Sequence, residues 1–138
     1  MKRIKRGVVN YSKLNTPPEK HERMTANYFA DRGFNVIFIK PSSIKGTNSP
    51  DFEMDGKIWE TKSPIKYSKR SFEDNFKKAV KQSKNVIFDL RRLSKFDEKI
   101  YLKELRKWSG LRGVKTLIVI TKDGRVLTIK GEFAIIGL

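Results

Sequence analysis

Cysteine is missing from the 138 residues, histidine occurs once, and acids are scarce: fifteen Asp and Glu against thirty-one Lys and Arg. Without thiols there is neither a disulfide framework nor a thiolate zinc site. His21, the one imidazole, leaves a metal-free ribonuclease a single candidate for acid–base work near neutral pH; at helical spacing with Met24 and Tyr28 it reads first as a packed core side chain. No apolar run approaches the roughly 20 residues that a membrane-spanning helix needs. The opening MKRIKRGVVN is basic, but polar residues follow it. Residues 1–15 are therefore expected to be a basic arm and not a secretory signal. Nothing repeats.

What is present points to a polyanion. A net charge of +16 and a pI near 10.2 cost stability through self-repulsion, and nucleic acid is the partner that offsets it best. A membrane surface or an acidic protein is the alternative. The length suits one domain with a real core, expected over 16–138.

Thr16-Pro17-Pro18-Glu19 reads as a helix start, with Thr16 as N-cap and Glu19 closing a capping box. That helix should run to about Arg32 and stop at Gly33. His21, Met24 and Tyr28 are expected to form its apolar stripe, with Glu22, Thr25 and Phe29 on the adjoining face. Phe34–Ile39 reads as a short strand and 42–49 as a polar loop. Ser71 and Asp74 mark a second helix, apolar at Phe72, Phe76, Ala79 and Val80. A strand at Val86–Leu90 follows, then a third helix from Ser94 to Trp108, then a hairpin of Thr116–Thr121 and Arg125–Lys130 around Asp123-Gly124. This order predicts an α/β or α+β domain: a mixed central sheet flanked by helices, with a C-terminal β-hairpin.

Residues 49–64, SPDFEMDGKIWETKSP, carry the chemistry. Asp55-Gly56 between strand-like runs signals a two-residue turn. Met54 then faces Lys57, Glu53 faces Ile58, Phe52 faces Trp59, and Asp51 faces Glu60. Alternation puts Phe52, Met54, Trp59 and Thr61 on one face and Asp51, Glu53, Ile58, Glu60 and Lys62 on the other. Directly opposed carboxylates destabilise a sheet unless something offsets their charge. Lys or Arg is one candidate; a hard cation such as Mg²⁺, which prefers oxygen ligands, is the other. Lys62, two residues beyond Glu60, would reach the same space, where an ammonium can orient water and stabilise charge on a phosphate.

Pro50-Asp51, eight intervening residues and Glu60-Thr61-Lys62 resemble the signature of the PD-(D/E)XK nuclease superfamily. The resemblance implies a restriction-endonuclease-like core, metal binding by Asp51 and Glu60, and catalysis by Lys62. It also implies a further acid on the preceding helix, for which Glu22 is the choice and Glu19 the second candidate. Gln82 or Lys78 would be the polar contribution of the second helix. The same stretch, followed by a basic loop and KKAVKQSKNVIFDLRR, is similar to the C-terminal tRNase domain of contact-dependent growth inhibition toxins. That similarity implies a metal-dependent ribonuclease; the expected ion is Mg²⁺, with Mn²⁺ or Zn²⁺ as alternatives. It would cut tRNA in the bacterial cytoplasm after delivery from another cell as part of a larger exported toxin, and a cognate immunity protein would restrain it.

Lys66, Lys69 and Arg70 in the loop after the motif, with Lys78, Lys81 and Gln82 on the second helix, are the expected nucleic-acid contacts. Tyr67 is the aromatic expected to stack on an unpaired base. Two other functions remain in view: a DNA endonuclease or junction resolvase of a phage or mobile element, and a non-catalytic basic nucleic-acid-binding module.

Overall fold

The computed structural model describes residues 5–41, 49–110 and 113–134; most of the expected polar loop, and the first residues of the basic arm, lie outside them. The fold is mixed α+β; the described residues form three helices and seven strands, paired both parallel and antiparallel. The chain divides into two compact units, Met1–Trp59 with Ala134–Leu138, and Glu60–Phe133.

The first unit opens with β1 (Val9–Asn10), α1 (Lys20–Asp31) and β2 (Val36–Phe38), followed by β3 (Phe52–Met54) and the first residues of β4 (Lys57–Lys62). Strand β1, which the sequence reading assigned to the arm, pairs parallel with β2. It is drawn in by Gly7, whose N–H donates to Ala30 O at 2.7 Å. A Cβ on Gly7 would lie 1.9 Å from Phe34 O, so only glycine allows this approach.

Helix α1 starts later than expected, with Glu19 and not Thr16 as N-cap. The two prolines explain the delay: each disfavours helical geometry in the residue before it, which keeps Thr16 and Pro17 out of the helix. Glu22 accepts a hydrogen bond from the Glu19 N–H at 3.4 Å, the expected acid reaching back to the cap. The helix closes with Gly33 N–H to Ala30 O and Phe34 N–H to Phe29 O, both near 3 Å, a Schellman motif. Its buried residues are Thr25, Ala26, Tyr28, Phe29 and Ala30. The expected stripe was therefore offset: Met24 is exposed and His21 half-exposed, because the small Ala26 and Ala30 let the Thr25–Phe29 face approach the sheet.

The β3–β4 turn is as predicted. Asp55 and Gly56 both have positive φ, 54° and 72°, the geometry whose twist matches two paired strands. Met54 faces Lys57, Glu53 faces Ile58 and Phe52 faces Trp59. Trp59 is fully buried and its Nε1 donates to Met54 O at 2.9 Å.

The second unit continues β4 from Glu60 and adds α2 (Lys69–Gln82), β5 (Asn85–Asp89), α3 (Glu98–Trp108), β6 (Thr116–Ile120) and β7 (Val126–Lys130). Strands β5 and β6 are parallel, and β6 and β7 antiparallel; the parallel pair is joined through α3, as such pairs need a long crossover. The near-continuous apolar runs of β5 and β6 reflect burial on both faces. Phe72 and Phe76 from α2 stack on Phe88 of β5 at 6.5 and 6.0 Å between ring centres, and Tyr101 of α3 meets Phe72 edge-on at 5.0 Å. Each buried ring of this kind contributes about 1.5–3 kcal/mol.

Two further expectations are corrected here. Helix α2 is capped by Ser68, whose Oγ accepts from Ser71 N–H at 3.1 Å. Lys69 and Arg70 therefore lie in the first turn of α2 and not in a loop. Helix α3 starts at Glu98 and not Ser94, because Ser94 spends its N–H on Ile65 O at 3.0 Å and forms a separate turn with Asp97.

Candidate functional site

In the first unit, Asp51 immediately precedes β3 and Glu22 lies in the first turn of α1. Both line a cleft of about 480 Å³ together with Glu19, Thr16, Pro17 and Pro18. Burial raises the Glu22 carboxyl from 4.5 to about 7, helped by the charge of Asp51 and a hydrogen bond with it, and opposed by the Glu19 N–H. Burial and a neighbouring carboxylate both disfavour the charged form of Glu22, which is why its proton is held so high. His21 Nδ1 sits 3.4 Å from Glu19 Oε2, and Glu19, His21 and Glu22 each offer a donor atom within 4.8 Å of one another. His21 is thus part of an acidic group and not a core residue.

In the second unit, Glu60 on β4 is 2% exposed. Its Oε2 pairs with Lys62 Nζ at 3.0 Å, and the same ammonium donates to Gln82 Oε1 of α2 at 3.3 Å. The structure therefore brings together three residues that the sequence reading singled out, with Gln82 positioning Lys62 from the second helix. An ammonium held by a buried carboxylate and an amide has little rotamer freedom left to lose when it meets a substrate.

Lys66, Lys69, Arg70, Lys78 and Lys81 are all exposed. Tyr67 is not the free aromatic that was expected: its ring meets Tyr101 edge-on at 6.0 Å and Phe72 at 6.3 Å, flanking the core. Asp89 was missed. It is 3% exposed at the end of β5 and takes a fork of hydrogen bonds from Arg91, Nε to Oδ1 at 3.0 Å and Nη2 to Oδ2 at 2.8 Å. An acid closing an apolar strand two residues before an arginine was the available signal.

These features define a small basic α+β domain with a carboxylate-lined cleft in one unit and a clamped lysine in the other. Residues 48–126, over half the chain, match the contact-dependent growth inhibition CdiA C-terminal domain family, and the chain belongs to it. It is a toxin domain of contact-dependent growth inhibition. Among solved structures, the CdiA-CT/CdiI toxin and immunity complex from Burkholderia pseudomallei shares the fold, with a TM-score of 0.64 at 20% identity over 90% of this chain and 99% of that one. No curated protein matches. No helix of the described residues is long and apolar enough to cross a membrane.

Proposed function

We propose that this domain is a metal-dependent nuclease of the PD-(D/E)XK type that hydrolyses phosphodiester bonds of tRNA inside a target bacterium, and that a cognate immunity protein restrains it. The observation that carries the reading is the pairing of Glu22 with Asp51 in one cleft. Carboxylate oxygens this close together suit a hard divalent cation such as Mg²⁺ or Mn²⁺, and His21 beside them widens the choice to Zn²⁺. Asp51, with Glu22 beside it, would hold the ion, and Glu60 is the further ligand that the resemblance of the motif implies. A bound cation supplies an acidic water and offsets negative charge on the phosphate.

The chain's own groups do the rest. Lys62, kept in place by Glu60 and Gln82, orients the attacking water and stabilises charge on the phosphate oxygens. The exposed Lys66, Lys69, Arg70, Lys78 and Lys81 hold the polyanionic backbone. The net charge of +16 supports a nucleic-acid substrate, and the family membership supports delivery between cells and an immunity partner.

Incubation with total tRNA, with supercoiled DNA and with branched DNA, each with Mg²⁺ or with EDTA, tests the reading. Cleavage of tRNA that EDTA abolishes is expected. DNA cleavage alone would assign the domain to a DNA endonuclease. Binding without cleavage under any metal would make it a non-catalytic module, and cleavage that survives EDTA but fails in His21→Ala would make it a metal-free ribonuclease.

A further inference from the structure

On the first unit, a groove of about 570 Å³ lies between the β1 segment and α1, lined by Arg6, Val8, Tyr11, Lys20, Arg23 and Met24 among others. Helical spacing puts Lys20, Arg23 and Met24 on the side of α1 away from Glu22. The groove is thus separated from the carboxylate cleft by about the 10 Å width of a helix. We infer that it is a second nucleic-acid subsite, which takes an unpaired nucleotide of the substrate strand remote from the scissile bond. The inference rests on the nucleic-acid reading above and extends it to a surface that the motif does not reach.

Charge and shape both favour this occupant. Among the described residues, no carboxylate lines the groove. Arg6 is engaged by Asp31 at 2.7 Å and Asn27 Oδ1 at 3.2 Å. Lys20 and Arg23 have no ion pair among the described residues, which leaves two cations for phosphates. Their apolar neighbours are open to solvent: Val8 is 62%, Tyr11 40% and Met24 41% exposed. A patch that bound only charge would gain nothing from these groups. A base gains a stacking face from the Tyr11 ring and a soft contact from the Met24 thioether.

Tyr11 is also held in place. Asn10 Oδ1 accepts from Ser12 N–H at 2.9 Å and Tyr11 O accepts from Leu14 N–H at 3.0 Å, so its backbone is set in a turn before any ligand arrives. Ordering it on binding therefore costs little.

The test is fluorescence anisotropy with the full chain in EDTA, using a labelled single-stranded RNA oligonucleotide and inorganic polyphosphate as a base-free competitor. Tyr11→Leu should weaken oligonucleotide binding about tenfold, as loss of one stacked base does, and leave polyphosphate competition unchanged. Lys20→Gln with Arg23→Gln should weaken both ligands and lower the salt slope by about 1.4, at about 0.7 per single-strand phosphate contact. Thermal unfolding confirms that the variants, all at solvent-accessible positions, remain folded; Met24→Gln serves as a second apolar variant. Unchanged oligonucleotide affinity in both Tyr11→Leu and Met24→Gln, or equal losses for oligonucleotide and polyphosphate, would overturn the inference. If the wild type cuts tRNA while the groove variants bind and cut like it, the subsite alone fails. If the variants weaken binding but nothing is cut with any metal, the subsite stands and the nuclease reading fails.

Discussion

Glu22 in the first turn of α1 and Asp51 at the threshold of β3 meet through a side-chain hydrogen bond, and burial, helped by the Asp51 charge, raises the Glu22 carboxyl to about 7. The same Glu22 also accepts from the Glu19 N–H. Capping of a helix and construction of an acid pair therefore converge on one side chain.

This pair gives the metal-free protein an unusual pH dependence. Glu22 has a folded-state value of about 7 against 4.5, so the folded state binds the proton more tightly than the unfolded state. Its stabilising contribution is complete below about 4.5 and is lost as pH rises through about 7. Thermal unfolding in EDTA should show the midpoint falling across that window. Glu22→Gln should remove the fall, and a saturating divalent cation should reverse it by favouring the ionised pair.

Lys62 has a structural role beside the catalytic one proposed for it. Its ammonium pairs with a Glu60 side chain that is 3% exposed while its own is 22% exposed. Lys62→Ala should cost about 2–3 kcal/mol, below the roughly 3–5 kcal/mol typical of a fully buried pair because water still reaches the lysine. Glu60→Gln with Lys62→Met should recover most of that stability and none of the activity. Urea unfolding of the two variants beside the wild type checks both statements.

Gly7 is expected to be intolerant of any side chain. Gly7→Ala places a methyl against the Phe34 carbonyl and should cost about 1–3 kcal/mol by overpacking. The loss should be local. Val36 N–H, which donates to Val8 O at 2.8 Å, should lose hydrogen-exchange protection as β1 lifts. Gly56→Ala meets no atom within 4 Å but carries φ +72°, so it should cost about 1–2 kcal/mol and leave Val36 protected.

The exposed cations of α2 should act on binding and not on chemistry. Lys69→Gln, Arg70→Gln and Lys81→Gln together should lower the salt slope of oligonucleotide binding by about 2, at about 0.7 per phosphate contact. The cleavage rate at saturating tRNA should change little. A matched fall in rate at saturation would move these residues into the reacting centre.

Local signals were the legible ones. Asp55-Gly56 announced its turn and register because a two-residue loop leaves one solution. The apolar runs of β5 and β6 announced buried strands, and Phe72, Phe76 and Ala79 announced the inner face of α2. Helix starts were harder. Thr16 and Ser94 look like caps, but prolines downstream of one and a tertiary hydrogen bond to the other set the real boundaries, and neither effect is visible in a short window. Strand β1 escaped notice because two residues carry no period, and what draws it in is the bare Gly7 backbone. In the candidate site, Glu22 and Gln82 could be named through the family resemblance, but their contacts with Asp51 and Lys62 depend on packing. The Asp89–Arg91 pair went unnoticed because its acid sits inside an apolar strand, where burial decides its meaning.

The central claim is that Asp51 holds a divalent cation required for cutting. The most direct measurement is the rate of tRNA cleavage as a function of Mg²⁺ concentration for the wild type and for Asp51→Asn, which keeps the side chain's size. The account predicts a saturable rise from near zero for the wild type and a flat line at background for Asp51→Asn at every concentration. Cleavage by Asp51→Asn with the wild-type rate and metal dependence would contradict it.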